Sequence, residues 1–141
     1  MKLLMHTLSI IFITISLCGC DRKGSKAELS DTKWQLKGYV TTDNQSIRRT
    51  KSGNKDTFLL EFMNNIQAYG WGERNSIGGK YKTSGAQISF KELISTQSET
   101  QLEDEHIFFH IIENATEYAI ENHELYLFSD QKKSYLVFSK L

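Results

Sequence analysis

The feature that most constrains this chain is the period of its apolar residues. Beyond the N-terminal segment the apolar runs are short and repeat every second residue. A single stretch, Glu103 to Ala115, instead repeats at about 100° per residue. A chain written this way builds strands that each bury one face, with one helix laid against them. Proline is absent and there are nine glycines, so the turns must come from glycine, asparagine, aspartate and serine.

The strands can be followed along the sequence. Trp34, Leu36 and Val40 alternate with Lys33, Gln35 and Lys37, which predicts a half-buried first strand. Thr41 to Asp56 is polar and carries Arg48, Arg49, Lys51 and Lys55, which predicts a long exposed loop. Phe58, Leu60 and Phe62 form the next strand. Asn64-Asn65 makes a tight turn, and Ile66, Ala68 and Tyr69 form the return. A glycine-rich stretch (Gly70, Gly72, Gly78, Gly79) precedes a strand over Lys80 to Thr83, and Ser84-Gly85 turns into Gln87 to Phe90.

In the helical stretch Ile107, Phe108, Ile111, Ile112 and Ala115 share one side, with Glu103, His106, His110 and Glu113 opposite. Thr100 and Glu103 have the spacing of a capping box. Tyr118 and Ile120, then Leu125 and Leu127, then Leu136 and Phe138 predict three closing strands. Their turns fall at Glu121 to His123 and Asp130 to Ser134. The pattern is α+β and mainly antiparallel β: a compact curled sheet or barrel of about eight strands with one amphipathic helix covering an open end or face.

The N-terminus has a different design. Lys2 is followed by a mostly apolar run from Leu3 to Leu17, and charge begins at Asp21. A spanning helix needs about 20 apolar residues, so the run is short for a span and ordinary for an export leader. Leu17-Cys18-Gly19-Cys20 looks like a bacterial lipobox, which makes residues 1–19 the expected lipoprotein signal peptide and Cys20 the lipidation site. Residues 20–28 then form a polar tether and residues 29–141 the domain. Each buried CH₂ of an acyl chain adds about 0.8 kcal/mol, so two or three chains would hold the protein firmly at a membrane. The expected location is the bacterial cell envelope, anchored to the inner or outer membrane, with the domain in the periplasm or at the cell surface.

Cysteine counting follows. The chain has two cysteines; Cys18 would leave with the leader and Cys20 would carry lipid. Nothing is then left for disulfides, thiolate nucleophiles or cysteine metal sites. The chain carries 17 basic and 17 acidic side chains, and only Lys2 of these lies in the leader. This balance gives no footprint for nucleic acid.

Two groups of residues have the composition of a site. His106 and His110, four apart on the helix with Glu103 and Glu113 beside them, have the spacing of two metal ligands. The same residues fall where amphipathicity demands polar ones, no zincin motif is present, and we expect neither metal nor cofactor. Trp71, Arg74, Asn75 and Tyr81 lie among four glycines. They read either as a recognition loop with aromatic and arginine anchors, or as backbone geometry in which glycine permits bulges and Asn75 bonds the turn. Serines and threonines are plentiful, but none sits in a nucleophile-elbow pattern.

The order of these elements, with Leu29, Trp34, Phe62, Gly70, Asn75, Gly79, Tyr81, Thr96, Glu105, Phe108 and Phe109, resembles the META/HslJ-like domain family of bacterial envelope proteins. The family pattern is close to G-x-x-x-C-N-x-x-x-G-x-Y. This chain keeps the glycines, Asn75 and Tyr81 at that spacing and has Arg74 where many members carry cysteine. The resemblance spans roughly Leu29 to Leu141 and implies a small β-rich fold, with a link to stress or antibiotic tolerance and no catalytic mechanism. The sequence therefore reads as a non-enzymatic lipoprotein whose partners are the membrane, through its lipid, and an envelope protein or small ligand. The alternatives are a metal-dependent hydrolytic enzyme using the helix histidines, or a structural spacer.

Overall fold

A computed structural model describes residues 26–48, 57–96 and 102–141. The period-two runs become nine strands: β1 (Thr32–Thr41), β2 (Asn44–Arg48), β3 (Leu59–Met63), β4 (Gln67–Trp71), β5 (Ser76–Ser84), β6 (Gln87–Ser95), β7 (Glu117–Glu121), β8 (Glu124–Ser129) and β9 (Ser134–Lys140). One helical turn, α1 (Lys26–Leu29), precedes them, and α2 (Glu103–Glu113) lies between β6 and β7. Cys20 and the leader lie outside the described residues, as do Arg49, Lys51, Lys55 and Thr100.

All pairings are antiparallel, and each strand from β3 to β8 pairs with the next. β1 closes the circle. Its N-terminal half pairs with β3, Thr32 opposite Phe62, while its other edge runs along β9 from Trp34↔Lys140 to Val40↔Tyr135. The expected curled sheet or barrel is thus an eight-strand antiparallel barrel with one substantial helix. β2 is an extra arm that takes the half of the β1 edge left free by β3, with Tyr39 opposite Arg48.

Turn chemistry explains the hairpins. Asn64 (φ 51°) and Gly85 (φ 58°) adopt the left-handed conformation at the two turns foreseen for them. Asn122 and His123 do so in succession between Glu121 and Glu124, as a tight two-residue hairpin requires. The weak seam is β6–β7, which meet in register only at Gln87↔Glu117. α2 packs against β6, β8 and β9. Phe108 meets Phe58 edge to face at 5.5 Å and Phe138 at 6.2 Å. Phe108, Ile111 and Ile112 are buried in one core with Trp34, Phe62, Leu125 and Leu136.

Three expectations need correction. The loop foreseen over Thr41 to Asp56 contains β2. Its only large apolar residue, Ile47, points outward at 57% exposure, so no buried alternation marked it. β6 runs on to Ser95 rather than ending at Phe90. Glu92 (φ 54°) makes a bulge that breaks the period, so Leu93, not Glu92, packs against the core. Finally, α2 starts at Glu103 behind Leu102, which makes no side-chain cap. Its buried set adds Phe109 and Glu105, while Ile107 is only half-buried.

If the Phe108 ring joins helix to barrel, Phe108→Ala should lower unfolding free energy by about 3–5 kcal/mol. Ile94→Ala, at a position 80% exposed, should change it by less than about 0.5 kcal/mol. Chemical denaturation of both variants measures the contrast.

Candidate functional site

The first turn of α2 carries three acidic residues, and each meets a different part of the sheet. Glu103 pairs with Arg48 of β2 at 3.5 Å. Asp104 accepts a hydrogen bond from the Tyr39 hydroxyl at 2.6 Å, and burial together with this carboxylate pushes the phenol up to about 12. Glu105 turns inward and is fully buried. All three carboxylates stand at the helix N-terminus. That suits the helix dipole, but for Glu105 it is the lesser part.

The Glu105 carboxylate is held by the turn joining β4 to β5. Its Oε1 accepts the backbone N–H of Arg74 and of Asn75, each at 2.8 Å. Its Oε2 accepts the Asn75 side-chain amide at 2.7 Å. Burial by itself would raise the Glu105 pKa. The N–H groups of Arg74 and Asn75, the Asn75 amide and the Glu73 backbone outweigh it and hold the carboxyl below its ordinary range. Asn75 in turn receives the Gly72 N–H at its carbonyl, 2.8 Å away, and Thr96 bonds both the Ser76 N–H and the Asn75 side-chain oxygen. Gly72 must be glycine, because a β-carbon there would stand 2.7 Å from Glu105 Cγ and 2.8 Å from Cδ.

The four residues expected to form one contact surface are therefore divided. Asn75 (6% exposed) and Tyr81 (3%) are interior, a correction to the binding reading. Asn75 serves Glu105. Tyr81 packs edge to face on Phe62 at 4.8 Å and donates its hydroxyl to the Asn64 carbonyl. Arg74 is exposed on the turn and contributes its backbone N–H. Trp71 alone faces outward along a strand, half-buried at the end of β4.

The glycine-rich stretch is also not a loop; Gly70, Gly78 and Gly79 lie within β4 and β5. Residue 78 has no room for a β-carbon, which would sit 2.8 Å from the Tyr69 ring. The Tyr69 side chain can therefore lean across the sheet. It lies near-parallel to Trp71, with ring centroids 6.1 Å apart, and the Lys33 ammonium sits 5.6 Å from the Trp71 ring. These two rings, Gly78, Gly79, Lys80 and Ile94 border a shallow open groove of about 410 Å³. Sequence reading missed Tyr69 as a member because it was counted only as strand; its i, i+2 spacing with Trp71 was the available signal.

The helix histidines have no such setting. His106 and His110 are exposed and their rings lie parallel with centroids 6.1 Å apart. Among the described residues no group of three or more histidine, cysteine, aspartate or glutamate side chains is gathered for a metal ion.

Comparison with known proteins agrees with this architecture. The META domain profile matches residues 27–140. A protein from Burkholderia xenovorans solved by NMR is similar in fold, with TM-score 0.65 and 18% identity over 82% of this chain and 86% of that one. A DUF4847 family protein from Bacteroides vulgatus, solved by crystallography, gives TM-score 0.61 and 15% identity over 82% and 96%. No curated protein matches the chain.

Two outcomes follow from the Glu105 contacts. The folded-state carboxyl titrates below its ordinary 4.5. Its stabilisation is thus complete above that pH and is lost as pH falls through the folded-state value. Thermal melts should show stability dropping on acidification below 4.5, with a shallower slope in Glu105→Gln. At neutral pH that variant should cost roughly 1.5–3 kcal/mol, since it presents an NH₂ to donors that need an acceptor. Gly72→Ala should cost about 1–3 kcal/mol by overpacking, read by the same melts.

Proposed function

The chain belongs to the META domain family, and we propose that it is a non-catalytic, lipid-anchored protein of the bacterial envelope that uses the outer β4–β5 face as its contact surface. The observation that carries this reading is the Tyr69–Trp71 ledge. Large aromatic side chains left facing outward beside a glycine floor have no role in the core, and such side chains are the usual anchors of recognition. The exposed Arg74 lies on the turn next to it.

Anchorage rests on the leader and on Leu17-Cys18-Gly19-Cys20. Among the described residues no helix is long and apolar enough to cross a membrane; we assign attachment to a lipid on Cys20. The partner or small ligand is met in the envelope, and stress or antibiotic tolerance is the setting that the family resemblance suggests. The exposed histidine pair gives the hydrolytic alternative no comparable support, since its imidazoles have no third candidate ligand among the described residues.

Two experiments test the reading. Mass spectrometry of the mature protein should find a diacylglyceryl thioether on Cys20, and Cys20→Ser should leave the protein unprocessed or move it out of the lipid-anchored fraction; an unmodified mature N-terminus contradicts the anchor. A photo-crosslinking amino acid placed at Ile94, beside the ledge, should capture products in intact cells that disappear with Trp71→Ala. The same probe at Ile47, 57% exposed on β2, should not capture them. Identical products from both positions would rule out the ledge as the contact.

A further inference from the structure

We infer that the Tyr69–Trp71 ledge is a saccharide-binding site that takes a neutral glycan; this deepens the reading of that face as the contact surface and rests on it. Strand register sets out the surface. Lys33 on β1 lies opposite Glu61 on β3, Glu61 opposite Tyr69 on β4, Tyr69 opposite Gly78 on β5, and Gly78 opposite Ile94 on β6. One cross-strand row thus carries an ion pair, an aromatic ring, a bare glycine and an exposed apolar residue.

Three features of this row select the ligand class. The first is shape. With glycine at 78 the Tyr69 ring lies over the backbone of β5, so the ring itself, and no β5 side chain, forms the surface there. The groove of about 410 Å³ is at the small end of the ~300–1,000 Å³ of small-molecule sites. A stable protein interface would need on the order of 1,000 Å² or more of buried surface.

The second feature is charge. Lys80 pairs with Glu92 at 2.6 Å and Lys33 with Glu61 at 3.8 Å. Each lysine bordering the rings has its carboxylate, so the rim offers donors and acceptors without a net field. That complements an uncharged, hydroxyl-rich molecule rather than an acidic or basic peptide.

The third feature is the rings. A pyranose has an apolar C–H face and a polar edge. Its weakly positive C–H groups fit the negative faces of aromatic rings, while Gln67, Lys80 and Glu92 at the margin can bond its hydroxyls. The other outward aromatic group, Tyr126, Phe128 and Tyr135, differs in kind. Its three rings contact one another at 5.5 to 6.4 Å, leaving no glycine-floored space between them.

The chain has two tryptophans, one on the ledge and Trp34 in the core at 1% exposure, which supplies an internal control. Full-length, uniformly ¹⁵N-labelled protein, in a zwitterionic detergent without sugar headgroups, is titrated with chitotetraose, maltotetraose and cellotetraose. At least one should move the Trp71 indole resonance and leave that of Trp34 in place. Affinity, read from the Gly78 and Gly79 amides, should fall about tenfold or more in Tyr69→Ala and in Trp71→Ala, and stay unchanged in Tyr135→Ala. Both ledge variants should melt as the parent does.

No shift at Trp71 with any of the saccharides, or shifts that survive Tyr69→Ala and Trp71→Ala alike, would overturn the assignment. Should crosslinks from Ile94 still depend on Trp71 in that event, the ligand class is wrong and the contact face stands. Should both fail, the face itself is wrong.

Discussion

A carboxylate with no exposure to water holds this fold in its arrangement. Burying a charge is costly unless hydrogen bonds satisfy it, and Glu105 receives two backbone N–H groups and a side-chain amide from a single turn. Hydrophobic burial of Phe108, Ile111 and Ile112 presses α2 into the barrel, but it constrains rotation and sliding of the helix only loosely. The Glu105 contacts are directional. Together with Asp104 on Tyr39 and Glu103 on Arg48, they fix the first turn of the helix against β1, β2 and the β4–β5 turn at once. The helix also packs against β6, β8 and β9.

The same contacts explain residues that looked like a site in the sequence. Gly72 leaves space for the carboxylate, Asn75 bonds it, and Thr96 braces Asn75 from the end of β6. Gly79 lies against the carbonyls of Lys91 and Glu92 at the β6 bulge, where a β-carbon would stand 2.7 and 2.9 Å from the two oxygens. The positions that carried the family resemblance are therefore largely inward-facing and serve the fold. What the chain offers outward on this side is Tyr69 and Trp71, and the turn that Glu105 organises immediately follows Trp71.

Much of the architecture was legible because it is written in period and turn chemistry. The helix, most of the strands and the Asn64 and Gly85 turns are all cases where one residue type has one physical use. The rest was illegible for equally physical reasons. β2 pairs by backbone and buries almost no apolar side chain, so it has no alternation to read. The bulge at Glu92 shifts the period by one residue, and a period count ends there. Glycines in β4 and β5 looked like loop because the need for them comes from Ile77, Tyr69, Lys91 and Glu92, which approach from other strands. Glu105 is one of three acids in the first turn of the helix, and nothing local marks it as the one that turns inward. The site reading suffered most from this. Asn75 and Tyr81 have the composition of recognition residues but are used inside, while the partner Trp71 does have outside, Tyr69, passed as ordinary strand.

Hydrogen exchange at two amides tests the central claim most directly. Arg74 and Asn75 lie on a turn, where amides normally exchange fast, yet both donate to a buried carboxylate. At neutral pH they should exchange as slowly as the paired amides of β4 and β5. Replacing Glu105 with alanine should speed both while leaving β8 and β9 amides unchanged. Fast, loop-like exchange of Arg74 and Asn75 in the unaltered protein would contradict the account.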